Sequence, residues 1–295
     1  MNSPLRRNWT TSLCLLLTFF AVDLKADDPN PGSTTPAPPA GYQLVWADEF
    51  SKEPDGLPDP TKWSYEEGFV RNHEAQYYTK ARLENARVEN GQLIIEGRKE
   101  EYFSDKDPDH LRAPPAHYTS AALETIDKAS WQYGRIEVRA KLPAGKGVWP
   151  AIWTLGVNEK DKSVGWPKCG EIDIMELVGK EPGIIHGTIH YFVDGKHKAY
   201  GKSLLVEHPE GGFHVYAAEW TPDRIDLFVD DKKYSSFDTS VAENAGQNPF
   251  HKPHYLILNL ALGGNWGGPV IDDSIFPQRM VVDYVHIYQK QAALP

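Results

Sequence analysis

Three carboxylates crowd into the segment Cys169–Gly179, which reads CGEIDIMELVG. In an extended chain successive side chains alternate, so Glu171 and Asp173 share a face. Strict alternation would then place Met175 on that face and Glu176 behind it. One extra residue at Ile174–Met175, accommodated as a β-bulge, returns Glu176 to the side of Glu171. The expected row is Glu171, Asp173 and Glu176, with Ile172, Ile174 and Met175 on the core side. Like charges held this close cost stability and raise the proton affinity of at least one member. One ionised and one protonated carboxyl flanking a bond is the equipment of glycoside hydrolysis. Where two such groups sit about 5–5.5 Å apart, configuration is retained through a covalent glycosyl-enzyme. The alternative reading of the same residues is a solvated strand edge or a calcium cluster.

The elements that must hold this row read as β nearly throughout. Gly134–Leu142 alternates Ile136, Val138, Ala140 and Leu142 with Arg135, Glu137, Arg139 and Lys141, a two-faced strand. Arg139 falls on its polar face, poised for a carboxylate or a sugar hydroxyl. Ile225–Phe237 carries Asp230-Asp231 between alternating runs and predicts a hairpin. Val281–Gln289 is a late strand, and Tyr255–Leu262, apolar on both faces, is a central one. No window of ten residues keeps a helical stripe. With 24 glycines and 23 prolines available for turns, the pattern predicts an all-β sandwich or barrel. The longest irregular piece is Glu100–Tyr118, a length more often functional than core.

Composition narrows the partners. The 295 residues are 40% hydrophobic and 24% charged, with a mean hydropathy of −0.51, which excludes a multi-span membrane protein and a disordered chain. Arg6 and Arg7 precede the apolar run Leu13–Ala21, with a cleavage site expected after Ala26, so residues 1–26 read as a signal peptide and the protein as secreted or periplasmic. Residues 27–41 are a Pro-rich linker, residues 42–290 one domain, and residues 291–295 a tail. Net charge is −10, and loss of Arg6, Arg7, Lys25 and Asp23 leaves the remainder near −12. An acidic surface repels nucleic acid and anionic membrane, so neither is expected as a partner of the cleaved, monomeric chain. Cys14 leaves with the signal, and Cys169 is expected as a small core hydrophobe without a disulfide partner.

At the carboxylate segment the chain resembles glycoside hydrolase family 16, in its branch of bacterial laminarinase-like endo-β-1,3-glucanases. The signature Glu-x-Asp-x-x-Glu is met by Glu171, Asp173 and Glu176. GKGVWPAIWTLG (145–156) and HGTIHY (186–191) flank it. WADEF (46–50), NHEAQYYT (72–79), NLALGGNWGG (259–268) and FPQRMVVDYVHIY (276–288) also match, in family order. The resemblance implies a concanavalin-like β-jelly roll with a concave substrate cleft. It implies Glu171 as nucleophile, Glu176 as acid/base and Asp173 as the residue that orients and tunes them, with no cofactor for catalysis.

The aromatic residues suit that reading, because a flat ring binds the apolar face of a sugar. Trp149 and Trp153 share a strand face and Trp266 sits among glycines; the family uses these positions at substrate subsites. Asn72, Glu74 and Gln76 share a polar face, alternating with His73, Ala75 and Tyr77, and Asn72 and Glu74 are implied near the cleavage point. Here Val70-Arg71-Asn72-His73 replaces the Gly-Asn-Asn run of many laminarinases. Trp46, Trp63, Trp131, Trp166 and Trp220 are assigned to the core. His186 and His190 lack the glutamate of a zinc-protease motif and read as strand; His190 is expected beside the acid/base or the sugar. A structural calcium is implied at Glu49, Gly91 and Asp283. The implied substrate is β-1,3-glucan (laminarin) or mixed-linkage β-1,3-1,4-glucan. Relatives that cut agar, porphyran or carrageenan, transglycosylases, and non-catalytic β-glucan-binding modules on the same scaffold are the alternatives. Strong acidity disfavours a sulfated polymer, and both glutamates are present where binders generally lose one.

Overall fold

The computed structural model describes residues 38–51, 54–104 and 114–291. The expected signal segment, most of the linker, the interior of the 100–118 loop and nearly all of the tail lie outside the described residues. The strands begin with β1 (Tyr42–Asp48), β2 (Ser64–Tyr65), β3 (Gln76–Tyr78), β4 (Ala86–Glu89), β5 (Gln92–Tyr102) and β6 (Ala116–Ser120). Next come β7 (Ala122–Glu124), β8 (Gly134–Lys141), β9 (Val148–Gly156), β10 (Glu171–Leu177), β11 (Ile184–Val193) and β12 (Lys196–Leu205). The chain continues with β13 (His214–Trp220), β14 (Arg224–Val229), β15 (Lys232–Asp238), β16 (His254–Leu262) and β17 (Gln278–Lys290). Helix among the described residues is confined to one α-turn, Gly264–Gly267, and three short 3-10 turns.

The strands form two sheets. One runs β12-β11-β10-β9-β16-β7-β2; the other runs β15-β14-β13-β8-β17-β5-β6-β3, with β1 on β17 and β4 on β5. Their inner faces meet in one apolar core. Val148 and Ile152 of β9, Ile172 and Ile174 of β10, and Leu256, Leu258 and Leu260 of β16 face Ile136, Val138, Ala140, Val282, Val285 and Ile287 of the second sheet. Burial of these side chains, at about 25 cal/mol per Å² of apolar surface, drives the two layers together. The outer face of β9 and β16 is apolar as well. Ala151, Trp153, Leu155, Tyr255 and Ile257 form a second cluster there. Strands buried on both faces lose the simple polar–apolar alternation, as Tyr255–Leu262 does.

Strand expectations hold in register. β8 occupies Gly134–Lys141, and β14 and β15 turn at Asp230-Asp231, where Asp230 takes φ 52°. Trp63, Trp131 and Trp220 are buried, and Trp46 packs edge-on against Trp63 and Trp131. Cys169 is buried and unpaired, and burial pushes its thiol up to about 12, which makes it an unreactive hydrophobe. Trp166 is the exception to the core assignment. It is 49% exposed, in the loop before β10.

Candidate active site

The β-bulge exists where the spacing places it. On the β11 side Asp173 pairs with Thr188 and Glu176 with His186; on the β9 side Asp173 pairs with Trp153 and Met175 with Ile152. Ile174 is the residue without a partner on either strand. Ile172, Ile174 and Met175 all point into the core at 0% exposure. Glu171, Asp173 and Glu176 therefore emerge together on the outer face, where they line a cleft of about 900 Å³.

Two of the three carboxyls have an indole donor. Trp166 Nε1 donates to Glu171 Oε2 at 2.6 Å, and Trp149 Nε1 donates to Glu176 Oε1 at 3.0 Å. Asp173, 2% exposed, lies between them, with His190 Nε2 3.3 Å from its Oδ2 and 3.8 Å from Glu171 Oε1. His190 Nδ1 in turn sits 2.9 Å from His197 Nε2. Burial raises all three carboxyls: Glu171 to about 8, Glu176 to about 7, and Asp173 well above its ordinary value. Neighbouring charge adds to each shift, from Asp173 on Glu171 and from Glu171 on Glu176. The hydrogen bond between Glu171 and Asp173 raises Glu171 further and lowers Asp173, while the charge of Glu176 raises Asp173. Trp166 and His190 both favour the charged form of Glu171. A row that is neither fully ionised nor fully protonated near neutrality can supply an attacking carboxylate and a proton donor side by side.

A second network braces the cleft wall. Trp153 Nε1 donates to Asn259 Oδ1 at 2.7 Å, Asn259 Nδ2 to the Tyr78 hydroxyl at 3.0 Å, and that hydroxyl to Glu74 Oε2 at 3.2 Å. Asn72 and Gln76 donate to the same Glu74 carboxylate, at 3.2 and 2.7 Å. Asn72 and His73 take positive φ in a tight turn; of the polar trio, Asn72 and Glu74 reach the cleft, while Gln76 turns inward to accept from Leu262 N–H. The loop Gly263–Gly268 lies against that turn, with Asn265 N–H donating to Asn72 O at 2.8 Å. A Cβ on Gly264 would meet that same oxygen at 2.9 Å, so the loop closes only with glycine there. It carries Trp266 edge-on to Trp149, ring centres 5.5 Å apart.

The site residues expected from sequence thus divide. Glu171, Asp173, Glu176, Asn72, Glu74, Trp149, Trp153, His190 and Trp266 line one cleft. Arg139 does not. It extends from the outer face of β8 in the other sheet, where its Nη1 donates to Asp283 Oδ2 at 2.6 Å and its guanidinium covers Phe213. That contact also bears on the implied calcium. Asp283, the one side-chain ligand of the implied calcium, is engaged by that guanidinium as placed, while Glu49 and Gly91 would offer backbone carbonyls. Among the described residues one group of three offers metal-ligand atoms within 4.8 Å of one another, Glu171, Asp173 and His190, which is the carboxyl row itself. His186 lies 3.1 Å from Glu181 and edge-on to Trp266, and among the described residues it joins no metal-ligand group with His190.

Among the cleft residues that sequence reasoning missed are Trp166 and Arg71. Trp166 was assigned to the core, yet it packs tilted against His197 with ring centres 4.7 Å apart and hydrogen-bonds Glu171. Its setting between Gly165 and Pro167 is the same loop signal that singles out Trp266. Arg71 places its guanidinium 4.9 Å from the Trp153 ring and pairs with Glu66. Only the departure at residues 70–73 marks it in the sequence.

Comparison with known proteins accords with this geometry. The family described as glycosyl hydrolases family 16 matches residues 73–285. A β-glucanase of Rhodothermus marinus is 46% identical over 263 residues, 84% of this chain and 85% of that protein. The X-ray structure of the laminarinase from Rhodothermus marinus superposes with a TM-score of 0.74 at 46% identity, over 85% of this chain and 98% of the other. A non-specific endo-β-1,3(4)-glucanase crystallised with a glucan oligosaccharide gives 0.76 at 47% identity, over 86% and 97%. On its sequence, its two-sheet architecture and its bulged carboxyl strand, the chain belongs to glycosyl hydrolase family 16.

Proposed function

We propose that this glycoside hydrolase is an endo-acting, retaining enzyme that cleaves β-1,3-glucan of the laminarin type and mixed-linkage β-1,3-1,4-glucan. The observation that carries the reading is the row Glu171–Asp173–Glu176 on the floor of a cleft walled by Trp149, Trp153, Trp166 and Trp266. The names of the most similar relatives support the same substrate class.

In the first step the Glu171 carboxylate attacks the anomeric carbon while Glu176 gives its proton to the departing glycosidic oxygen. The carbon–oxygen bond breaks and an ester to Glu171 forms. In the second step Glu176, now ionised, takes a proton from water, whose oxygen displaces Glu171. Asp173 keeps its proton toward Glu171 and eases charge on the nucleophile as the ester forms and breaks. The tryptophans hold glucosyl faces, and an anionic rim disfavours sulfated chains. Residues 1–26 are proposed to direct export, and calcium enters no step.

Glu171→Gln and Glu176→Gln are each expected to lose at least about 1,000-fold in laminarin turnover. Reducing-end release from laminarin, lichenan, agarose and porphyran measures both activity and preference. Normal turnover by either variant, or cleavage of the galactans alone, would overturn the reading. Proton NMR of the first product should show the β-anomer; an α-anomer would reject retention.

A further inference from the structure

The bulge that turns Glu176 into the cleft leaves Ile174 without a strand partner, and its carbonyl is buried. A buried carbonyl without a donor is costly, so the local conformation depends on what satisfies it. The donor comes from the opposite sheet. Tyr234 of β15 reaches across the sandwich and its hydroxyl donates to Ile174 O at 2.9 Å. Tyr234 occupies an irregularity of its own. Leu227 pairs with Ser235 and Phe228 with Lys233, so Tyr234 is the extra residue on β15 and its ring enters the core beside Ser235. Two bulges, one in each sheet, are therefore joined by one hydroxyl.

The path between them is open because residue 187 is glycine. A Cβ on Gly187 would lie 2.2 Å from Tyr234 Oη and 2.5 Å from Leu227 Cδ1. Gly187 is the single β11 residue that faces the two-residue bulge, between the pairs Thr188–Asp173 and His186–Glu176. The environment of the hydroxyl is also electrostatically linked to the row. Burial and the charges of Asp173 and Glu176 raise its own proton affinity, so it stays a donor.

We propose that Tyr234, through the cavity left by Gly187, is a positioning residue that locks the Ile174 bulge and thereby aims Glu176 at the glycosidic oxygen. Resting on the glycosidase reading above, it assigns a catalytic consequence to a residue that touches neither substrate nor carboxyl. A misaimed Glu176 should slow proton donation, whereas attack by Glu171 on a substrate whose leaving group needs no proton should survive.

The test compares kcat/KM on laminarin with kcat/KM on 2,4-dinitrophenyl β-laminaribioside, whose phenolate departs unprotonated. Tyr234→Phe should lose about 10- to 100-fold on laminarin, part of the usual general-acid contribution, and less than about threefold on the dinitrophenyl glycoside. Its alkaline pH limb on laminarin should move, because Glu176 no longer sits in the same environment. Gly187→Ala, which displaces the hydroxyl without removing it, should give the same split. Equal losses on both substrates, as simple unfolding would give, overturn the proposal. So does a Tyr234→Phe enzyme that matches the wild type. Failure of the wild type itself on laminarin defeats the substrate assignment instead, and is seen before any variant is measured.

Discussion

At the scale of single residues, the chemistry depends on which carboxyl holds a proton. Burial sets the baseline by raising Glu171, Asp173 and Glu176 together, and indole N–H donors then adjust it. Glu176 must be protonated to donate, and its affinity lies at about 7, so glycosylation should fall as pH rises through that value. Trp149 N–H stabilises the charged form of Glu176 and pulls against burial. Trp149→Phe removes that donor, so the alkaline limb of kcat/KM should move up by about 0.5–1 pH unit, whatever happens to its height. Trp266→Phe, which alters the same wall without touching a carboxyl, should change the height and leave the limb in place. A pH profile of both variants distinguishes them; a fixed limb in Trp149→Phe would show that the indole does not tune the acid. The identity of the three carboxylates was legible from their spacing. Trp166 was not, because its type suits a core and only the fold of the 158–170 loop brings its N–H to Glu171.

At the scale of elements, the site is a strand with a bulge, held at its entrance by backbone packed on backbone. The end of β9 and the lead-in to β10 touch so closely that a Cβ on Gly156 would lie 2.2 Å from Cys169 O. No side-chain rotation relieves that contact. Gly156→Ala should therefore cost about 1–3 kcal/mol and lower Tm by at least about 3 °C, with a loss of turnover as Glu171 shifts. Gly212 has nothing within 4 Å of its Cβ position and ordinary φ, so Gly212→Ala should leave both unchanged. Calorimetry and laminarin assays of the pair check this, and an unaffected Gly156→Ala would refute the packing argument. The bulge itself was deducible, since only one extra residue lets three carboxylates share a face with two adjacent apolar residues behind them. What anchors it was not, because Tyr234 is 60 residues away and sits in an unremarkable lysine- and serine-rich strand.

At the scale of the whole molecule, the carboxyl row should burden stability. A carboxyl whose affinity is raised in the folded state keeps its proton there while the unfolded chain has lost it. Between about pH 4.5 and 8 the folded protein then binds more protons, so stability falls as pH rises through that window. Glu171, Asp173, Glu176 and Glu124, the last raised to about 7 by burial and by the charge of Glu66, all act in this direction. His254 and His197, whose proton affinities burial lowers, oppose this at lower pH, so Tm should decline from about pH 6.5 to pH 8, and Asp173→Asn should recover at least about 3 °C at pH 8 while impairing turnover. A flat or rising Tm over that range, measured by calorimetry, would contradict the raised affinities. The acidity noted from composition acts at longer range, where it favours neutral chains in the cleft over sulfated ones.

Local patterns were enough to reveal the strands, the bulged carboxyl row and the shared face of Trp149 and Trp153, because alternation along a strand is dictated by backbone geometry, and Trp266 stood out by its glycine-rich loop. The same alternation says which face a residue takes but not which sheet carries it. Arg139 has the right face of the wrong sheet, where it meets Asp283. Trp166 and Arg71 became cleft residues, and Tyr234 a brace, only when loops and a second layer packed around β10. Those contacts join residues far apart in the chain. They follow from how two sheets bury their apolar faces together, and no short stretch of sequence contains them.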